Sequence, residues 1–325
     1  MNRKKLLPLG ILAGAAAVLA VLLLALNLLN AEEDQDEGIP LFSIASEDVT
    51  ALSYQYNELD VSLSQNDDGS WTLASDTLLP IDTDTANQVL DGLTGMTALR
   101  SLADGEGDVD AMGFDSPTMT FAFTAAGTDY TLTVGASNSM TDSYYVRLDD
   151  GSLYTVAASA FSTLCRTESE LYEPQDITDI ESTEVAAMTL DTGAETLHFT
   201  RDESGSWTLD DDPGYELDQD VVSRMSSTIC SLTTDWSITA PEDDARYGLD
   251  TPNAVVTLTA TDGRTVRCVF GAADPDDQDV AYLRASNDES VVYEIPANHL
   301  VAFAYTRDTL KAATPESATA EDAAD

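Results

Sequence analysis

Gly69-Ser70-Trp71-Thr72-Leu73 recurs letter for letter as Gly205-Ser206-Trp207-Thr208-Leu209, 136 residues further along. The same order of features surrounds each copy, so the chain beyond its N-terminal segment reads as two versions of one module. In each copy the pentapeptide follows a polar turn, Asn66-Asp67-Asp68-Gly69 or Asp202-Glu203-Ser204-Gly205. The alternation of Trp71 with Leu73, and of Trp207 with Leu209, predicts a strand that sends both apolar side chains into a core.

Upstream, Val49, Leu52 and Tyr54 correspond to Val185, Met188 and Leu190, and Val61 and Leu63 to Leu197 and Phe199. The i, i+2 spacing within Leu52/Tyr54 and Val61/Leu63 predicts paired strands with one buried face, which the Trp strand extends into an antiparallel meander. Downstream, Asp82 and Asp218 stand just before helical patterns, where a carboxylate accepts hydrogen bonds from free backbone amides. Ala86, Val89, Leu93 and Met96 share one helix face, and Val222, Met225, Ile229 and Leu232 repeat it. That face is expected to pack on the sheet.

A second signature follows, Gly113-Phe114-Asp115-Ser116-Pro117 and Gly248-Leu249-Asp250-Thr251-Pro252. It reads as structural: the glycine supplies a positive φ, the apolar residue tucks into the core and the proline keeps its predecessor extended. A hairpin comes next, with Met119, Phe121 and Phe123 returning through Tyr130, Leu132 and Val134 to Gly135. In the second copy Val256 and Leu258 return through Val266, Cys268 and Phe270 to Gly271. Tyr145-Val146-Arg147 and Tyr282-Leu283-Arg284 mark another strand, Leu153-Tyr154 and Val292-Tyr293 the next, and a short helix closes each copy. The expected fold class is α+β, with two tandem modules, each a mostly antiparallel sheet with covering helices. The boundaries are 41–165 for module 1, 166–180 for a linker and 181–305 for module 2. Residues 306–325, rich in Ala, Thr, Glu and Asp, are expected to form a disordered acidic tail.

The N-terminus has a different character. Arg3, Lys4 and Lys5 precede Leu6–Leu29, 24 residues without an ionisable side chain, long enough to span a bilayer. A secretory apolar region is shorter, about 7–15 residues, and no clear small-residue cleavage site follows, so the segment reads as an uncleaved transmembrane helix rather than a removed signal peptide. Residues 1–5 are then cytoplasmic, 6–29 the anchor and 30–40 a polar spacer. The basic flank before Leu6 and the acidic Glu32, Glu33, Asp34, Asp36 and Glu37 after it place the later domains outside the cytoplasm.

The 325 residues carry 59 acidic and 14 basic side chains, a formal charge of -45. Such a surface repels nucleic acid and keeps the chain soluble. Three cysteines are too few for a disulfide framework or a four-ligand zinc site. Cys268 occupies the place of Leu132 and reads as a small buried hydrophobe, while Cys230 and Cys268 are either free or bridged within module 2.

Catalytic chemistry is not assembled in the sequence, and no catalytic, cofactor-binding or metal-binding residue is assigned. His198 lies between Leu197 and Phe199 and so faces away from the core, His299 belongs to the closing helix, and neither has a companion cluster. Ser70 and Ser206 are not in a nucleophile elbow. The acidic stretches Asp274-Pro275-Asp276-Asp277-Gln278-Asp279 and Asp108-Val109-Asp110 depart from the calcium-loop template, which requires a glycine and a terminal glutamate. Arg147 and Arg284 occupy equivalent places, each two residues from a tyrosine on the same strand face. They read either as interface hot spots or as structural ion pairs.

Together, the basic N-terminus, the single apolar segment, the Gly-Ser-Trp strand, the aspartate-capped helix, Tyr247-Gly248-Leu249-Asp250-Thr251-Pro252, the glycine after the hairpin and the Tyr-x-Arg strand resemble the bacterial family of the domain of unknown function 4340. The first copy departs from the hexapeptide at Met112-Gly113-Phe114. The resemblance covers about residues 1–305 and implies a single-pass membrane protein encoded near ABC-type export systems related to gliding-motility auxiliary components. It brings no activity or catalytic residue with it. The expected function is therefore a non-enzymatic, membrane-anchored extracytoplasmic binding or scaffolding protein. Its partners are the membrane, through residues 6–29, and ABC transporter permease or auxiliary subunits. The alternative is a stand-alone cell-envelope protein that binds glycan, peptide or calcium.

Overall fold

Period-two alternation and short polar turns divide each copy into strands, which pair in the same order twice. A computed structural model of the chain describes residues 38–103 and 108–313. Module 1 contains β1 (Ile39–Pro40), β2 (Val49–Tyr56), β3 (Leu59–Gln65), β4 (Trp71–Leu73), β5 (Thr97–Ala98), β6 (Arg100–Leu102), β7 (Met119–Ala125), β8 (Thr128–Asn138), β9 (Ser143–Leu148) and β10 (Leu153–Ala157). Its main sheet has eight strands in the order β4-β3-β2-β7-β8-β9-β10-β6. Module 2 contains β11 (Val185–Asp191), β12 (Thr196–Arg201), β13 (Trp207–Leu209), β14 (Trp236–Ile238), β15 (Ala254–Ala260), β16 (Thr265–Ala273), β17 (Val280–Ala285) and β18 (Asp288–Pro296). They form an eight-stranded sheet in the order β13-β12-β11-β15-β16-β17-β18-β14, so the topology of module 1 is repeated strand for strand. The pairs in both sheets are antiparallel.

One face of each sheet is covered by a long helix, α1 (Thr83–Thr94) in module 1 and α3 (Gln219–Cys230) in module 2. The Asp82 carboxylate accepts hydrogen bonds from the N–H groups of Asp84 and Thr85 at 2.9 and 3.1 Å, and Asp218 accepts one from Val221 at 3.1 Å. Such a cap stabilises a helix start by about 1 kcal/mol. Ala86, Val89 and Leu93 of α1 pack with Leu52, Tyr54, Val61, Leu63, Phe121 and Phe123 in the core of module 1, and Met96 just beyond the helix joins them. Val222, Met225 and Ile229 of α3, followed by Leu232, take the same part in module 2. Each module is α+β, as the sequence predicts, with few helices beyond these. After α1 the chain crosses to the far edge of the sheet, where β6 pairs with β10; β14 does the same beside β18. These three-residue edge strands are too short for the alternation to reveal.

The modules are closed differently from the expected boundaries. Residues 166–180 are not a free linker. Thr167 and Glu170 form a capping box on α2 (Glu168–Leu171), and Leu171 is fully buried in the core of module 1. Its carbonyl accepts the Asp82 N–H at 2.8 Å. Ile177 and Ile180 are buried in the core of module 2, so only Glu173 and Pro174 stand between the two units. Likewise residues 306–313, expected to begin a disordered tail, are folded. A 3-10 turn at Asp308–Leu310 buries Leu310 in the second core, and the Leu310 carbonyl accepts the Asp218 N–H at 2.8 Å. The anchors Leu171, Ile177, Ile180 and Leu310 are scattered apolar residues in polar stretches, too few to produce a helical or strand periodicity. The short spacer likewise ends in β1, whose Ile39 and Pro40 pair with Ala98 and Thr97. All three cysteines are free thiols, so Cys230 and Cys268 are not bridged.

Among the described residues no helix is long and apolar enough to cross a membrane. The expected cytoplasmic segment 1–5, the anchor 6–29, the spacer up to residue 37 and the tail from residue 314 lie outside the described residues.

Candidate functional site

The strongest shared signatures of the sequence meet on the sheet face opposite the long helix. In module 2, α4 (Asp244–Tyr247) ends at Gly248, which takes the left-handed conformation with φ 68°, and Gly113 ends the matching turn of module 1 with φ 81°. The turn lies against the bulged strand β16, whose pairing with β17 shifts register between Phe270 and Ala273. Here two glycines interlock. A Cβ on Gly248 would lie 2.8 Å from the Ala272 nitrogen, and one on Gly271 would lie 2.2 Å from the Tyr247 carbonyl oxygen. Module 1 repeats the arrangement: a Cβ on Gly135 would lie 2.1 Å from the Met112 carbonyl oxygen. Real Cβ atoms do not approach so closely. The glycine of the hexapeptide and the glycine ending the hairpin thus form one packing device.

A small second core forms around it. Tyr247 and Tyr282 meet edge to face at 4.9 Å between centroids, with Leu249, Val269 and Val292 beside them. Arg284 donates from Nη1 to Asp244 Oδ1 at 2.6 Å and so ties α4 to the sheet. In module 1 the Arg147 guanidinium lies 4.8 Å from the Phe114 ring centroid. The equivalent arginines therefore clamp the same turn to the same strand, one by an ion pair and the other by cation–π attraction. Of the two readings, the structure places both in intramolecular packing. Arg284 Nε is buried without a partner.

Tyr282 donates its hydroxyl proton to Asp274 Oδ2, and the other carboxylate oxygen of Asp274 accepts the N–H groups of Asp276 and Asp277 at 2.7 and 3.1 Å. The Tyr282 bond, then the backbone donors, hold the Asp274 carboxyl below the usual aspartate range, while burial followed by the same bond pushes Tyr282 up. The first carboxylate of the acidic loop is thus engaged by its own loop and by β17. Among the described residues no group of three or more His, Cys, Asp or Glu is gathered to hold a metal ion.

The remaining candidates lie apart, on separate elements. His198 is exposed on β12, its Nδ1 3.2 Å from Thr189 Oγ1, whereas His299 is half-buried in the 3-10 turn Ala297–Phe303, where burial lowers its pKa. Ser70 donates to Asp68 Oδ1 at 2.6 Å. Ser206 donates its N–H to Asp202 Oδ1 at 2.9 Å. Both serines therefore shape the turn before the Trp strand. Trp71 and Trp207 are each 3% exposed, core residues of their modules. Trp71 donates Nε1–H to Asn87 Oδ1 at 3.3 Å. Trp207 Nε1 has no partner, because Ser223 stands at the place of Asn87; Gln219 instead grips the Trp207 backbone, accepting its N–H at 2.7 Å and donating to its carbonyl at 2.9 Å. Burial pushes the Cys268 thiol up to about 12 and that of Cys165 up to about 11, so neither is a ready nucleophile.

One feature had no signal in the sequence. Tyr172, at the end of module 1, is buried against module 2: its hydroxyl lies 2.6 Å from Thr234 Oγ1 and 2.7 Å from Ser237 Oγ, and its ring is 5.2 Å from Trp236. Beside this contact is a cleft of about 520 Å³ between the modules, lined by Glu58, Leu59, Asp60, Glu168, Trp236 and Glu294 among others.

Fold and site together define a class: tandem α+β sheet modules, each carrying a glycine-interlocked turn on its outer face. The family model for the domain of unknown function DUF4340 matches residues 71–208 and again 207–324, and the chain belongs to this family. Each match begins at a Trp strand, so the first runs past the end of module 1 into β13 of module 2. No curated protein and no solved structure matches the chain.

Proposed function

We propose that the protein is a non-enzymatic, membrane-anchored extracytoplasmic scaffold, an accessory of an ABC-type transport complex. The observation that carries this reading is that the residues of its shared motifs are engaged in packing. The two glycines interlock, the arginines clamp a turn, the tryptophans sit in cores and Ser70 and Ser206 shape turns. A chain that devotes its signatures to shape presents surfaces rather than reactive groups. The basic-flanked run Leu6–Leu29 supplies the anchor in this reading, and its orientation leaves both modules outside the cytoplasm.

Mild solubilisation of the full-length protein from its native cell, followed by identification of what travels with it, tests the proposal. Transporter permease or auxiliary subunits are expected. Their absence, together with a thermal shift on adding calcium or wall fragments, would replace it with the stand-alone ligand-binding reading.

A further inference from the structure

The chain enters both modules along the same path. The Leu41 N–H donates to the Met96 carbonyl at 3.0 Å, and the Ile177 N–H to the Leu232 carbonyl at 3.0 Å. Just before, Ile39 and Pro40 pair with Ala98 and Thr97, while Asp176 bridges Thr233 and the Thr234 N–H donates to the Gln175 carbonyl at 3.0 Å. Each residue of the second set stands 136 places after its counterpart in the first, the spacing of the two Trp strands. Carried backwards, the same spacing puts Glu37 at the place of Glu173 and Asp36 at the place of Tyr172. As the end of module 1, Tyr172 answers to Lys311, since Ile81 bridges Tyr172 as Leu217 bridges Lys311. As the entry to module 2, it answers to Asp36.

At the seam between the modules Tyr172 is a latch. It packs on Trp236 and shares its hydroxyl with Thr234 and Ser237, which are 1% and 4% exposed. In module 1 the places of Trp236, Thr234 and Ser237 are taken by Arg100, Ala98 and Ser101, and there Arg100 and Ser101 are exposed on the edge strand β6. The exchanges match across the joint. Where module 2 sets a tyrosine on a tryptophan, module 1 offers a guanidinium and a serine hydroxyl, both hydrogen-bond donors, at the place where the entering chain brings a carboxylate. Cations are scarce here: between Lys5 and Cys165 the basic residues are Arg100 and Arg147, and Arg147 lies on Phe114. The path is also short. Ile39 pairs with Ala98, and Gly38 lies so close to that strand that a Cβ would stand 2.9 Å from the Ala98 carbonyl oxygen. Asp36 is three residues from Ile39, a reach of at most about 11 Å, and Arg100 is two residues from Ala98.

We propose that the acidic segment before residue 38 docks on the outer edge of β6, with the Asp36 carboxylate on Arg100 and Ser101. Module 1 is then joined to the segment before it as module 2 is joined to module 1, by an ion pair in place of the aromatic latch. An exposed ion pair is weak when two free side chains must be ordered to make it. Here the pairing of Ile39 with Ala98 has already fixed the chain beside the strand, so little ordering is left. The consequence for orientation rests on the anchor reading of Leu6–Leu29. Seven residue steps separate Leu29 from Asp36, at most about 25 Å of extended chain. The β6 edge of module 1 would therefore be held toward the bilayer, and the opposite edge, at β4, away from it.

Cross-linking of the full-length chain in detergent tests the docking. Arg100→Lys keeps the charge and supplies an amine that a carbodiimide joins, with loss of water, to a carboxylate in contact with it. Peptide mapping is expected to find residue 100 linked to Asp36. The link should be lost in Asp36→Asn, and lost at about 1 M salt, where the screening length is about 3 Å. A second pair of variants transplants the latch of the other joint. Arg100→Trp alone should add the emission of an exposed indole, and adding Asp36→Tyr should shift that emission to shorter wavelength. Linkage of residue 100 to Asp104 or Glu106 in place of Asp36, to a second copy when isotopically labelled and unlabelled chains are mixed, or to no carboxylate would overturn the inference. An emission that Asp36→Tyr leaves unmoved would also overturn it. Neither measurement needs a bilayer, so a chain that is not anchored through Leu6–Leu29 would still show the link, and the two failures are told apart.

Discussion

The carbonyl oxygen of Tyr247 lies against the α-carbon of Gly271, so closely that a Cβ there would stand 2.2 Å away. The contact couples a helix end to a strand bulge, and the pair Met112 and Gly135 repeats it in module 1. Gly271→Ala forces the turn off the sheet and is expected to cost about 1–3 kcal/mol or more, the range for overpacking a close contact. Chemical denaturation of the full chain measures it. An unchanged midpoint would mean that the outer turn is not tightly packed.

Trp71→Ala and Trp207→Ala should each cost about 3–5 kcal/mol, as expected for removing a buried aromatic side chain. Their indole nitrogens differ: Trp71 Nε1 donates to Asn87, whereas Trp207 Nε1 is unpartnered. Ser223→Asn places an amide where Asn87 serves Trp71, and is expected to stabilise module 2 by about 1 kcal/mol. A neutral or destabilising result would show that the amide cannot reach the indole. Loss of partner association without loss of stability in the alanine variants would instead mark the tryptophans as binding residues.

Asp202 accepts hydrogen bonds from Ser204 and from the Ser206 N–H, and these hold its carboxyl below the usual aspartate range. Asp68 is lowered in the same way by Ser70. A depressed carboxylate contributes stability that is present above its unfolded value, about 3.9, and lost as pH falls through the folded value. Asp202→Ala should therefore destabilise module 2 at neutral pH, and the difference from wild type should narrow in acid. Thermal melts across the acid range check this; a gap that widens on acidification would contradict it.

Tyr172→Phe keeps the ring on Trp236 but removes the hydroxyl shared by Thr234 and Ser237. The expected cost is about 1–2 kcal/mol, and calorimetry should show the modules melting more independently. Cooperative melting identical to wild type would mean that the latch does not couple them.

The duplication, the strand alternation, both aspartate caps, the apolar helix faces and the core positions of Trp71 and Trp207 were legible in the chain, because each is a local pattern repeated twice and period and spacing carry it. The short edge strands β6 and β14 were not, since three residues are too few for an alternation, and neither were the anchoring of Leu171, Ile177 and Leu310 or the division of labour between Arg147 and Arg284, since each of these depends on a single side chain meeting a distant surface. The glycine interlock lies between these cases. Its two halves were visible as separate motifs, but only the tertiary fold brings residue 248 over residue 272 and residue 271 under residue 247. The module seam was decided by tertiary structure alone: Tyr172 has Lys311 as its counterpart and Trp236 has Arg100, so the duplication gives no hint of a contact that exists once, where module 1 covers an edge of module 2.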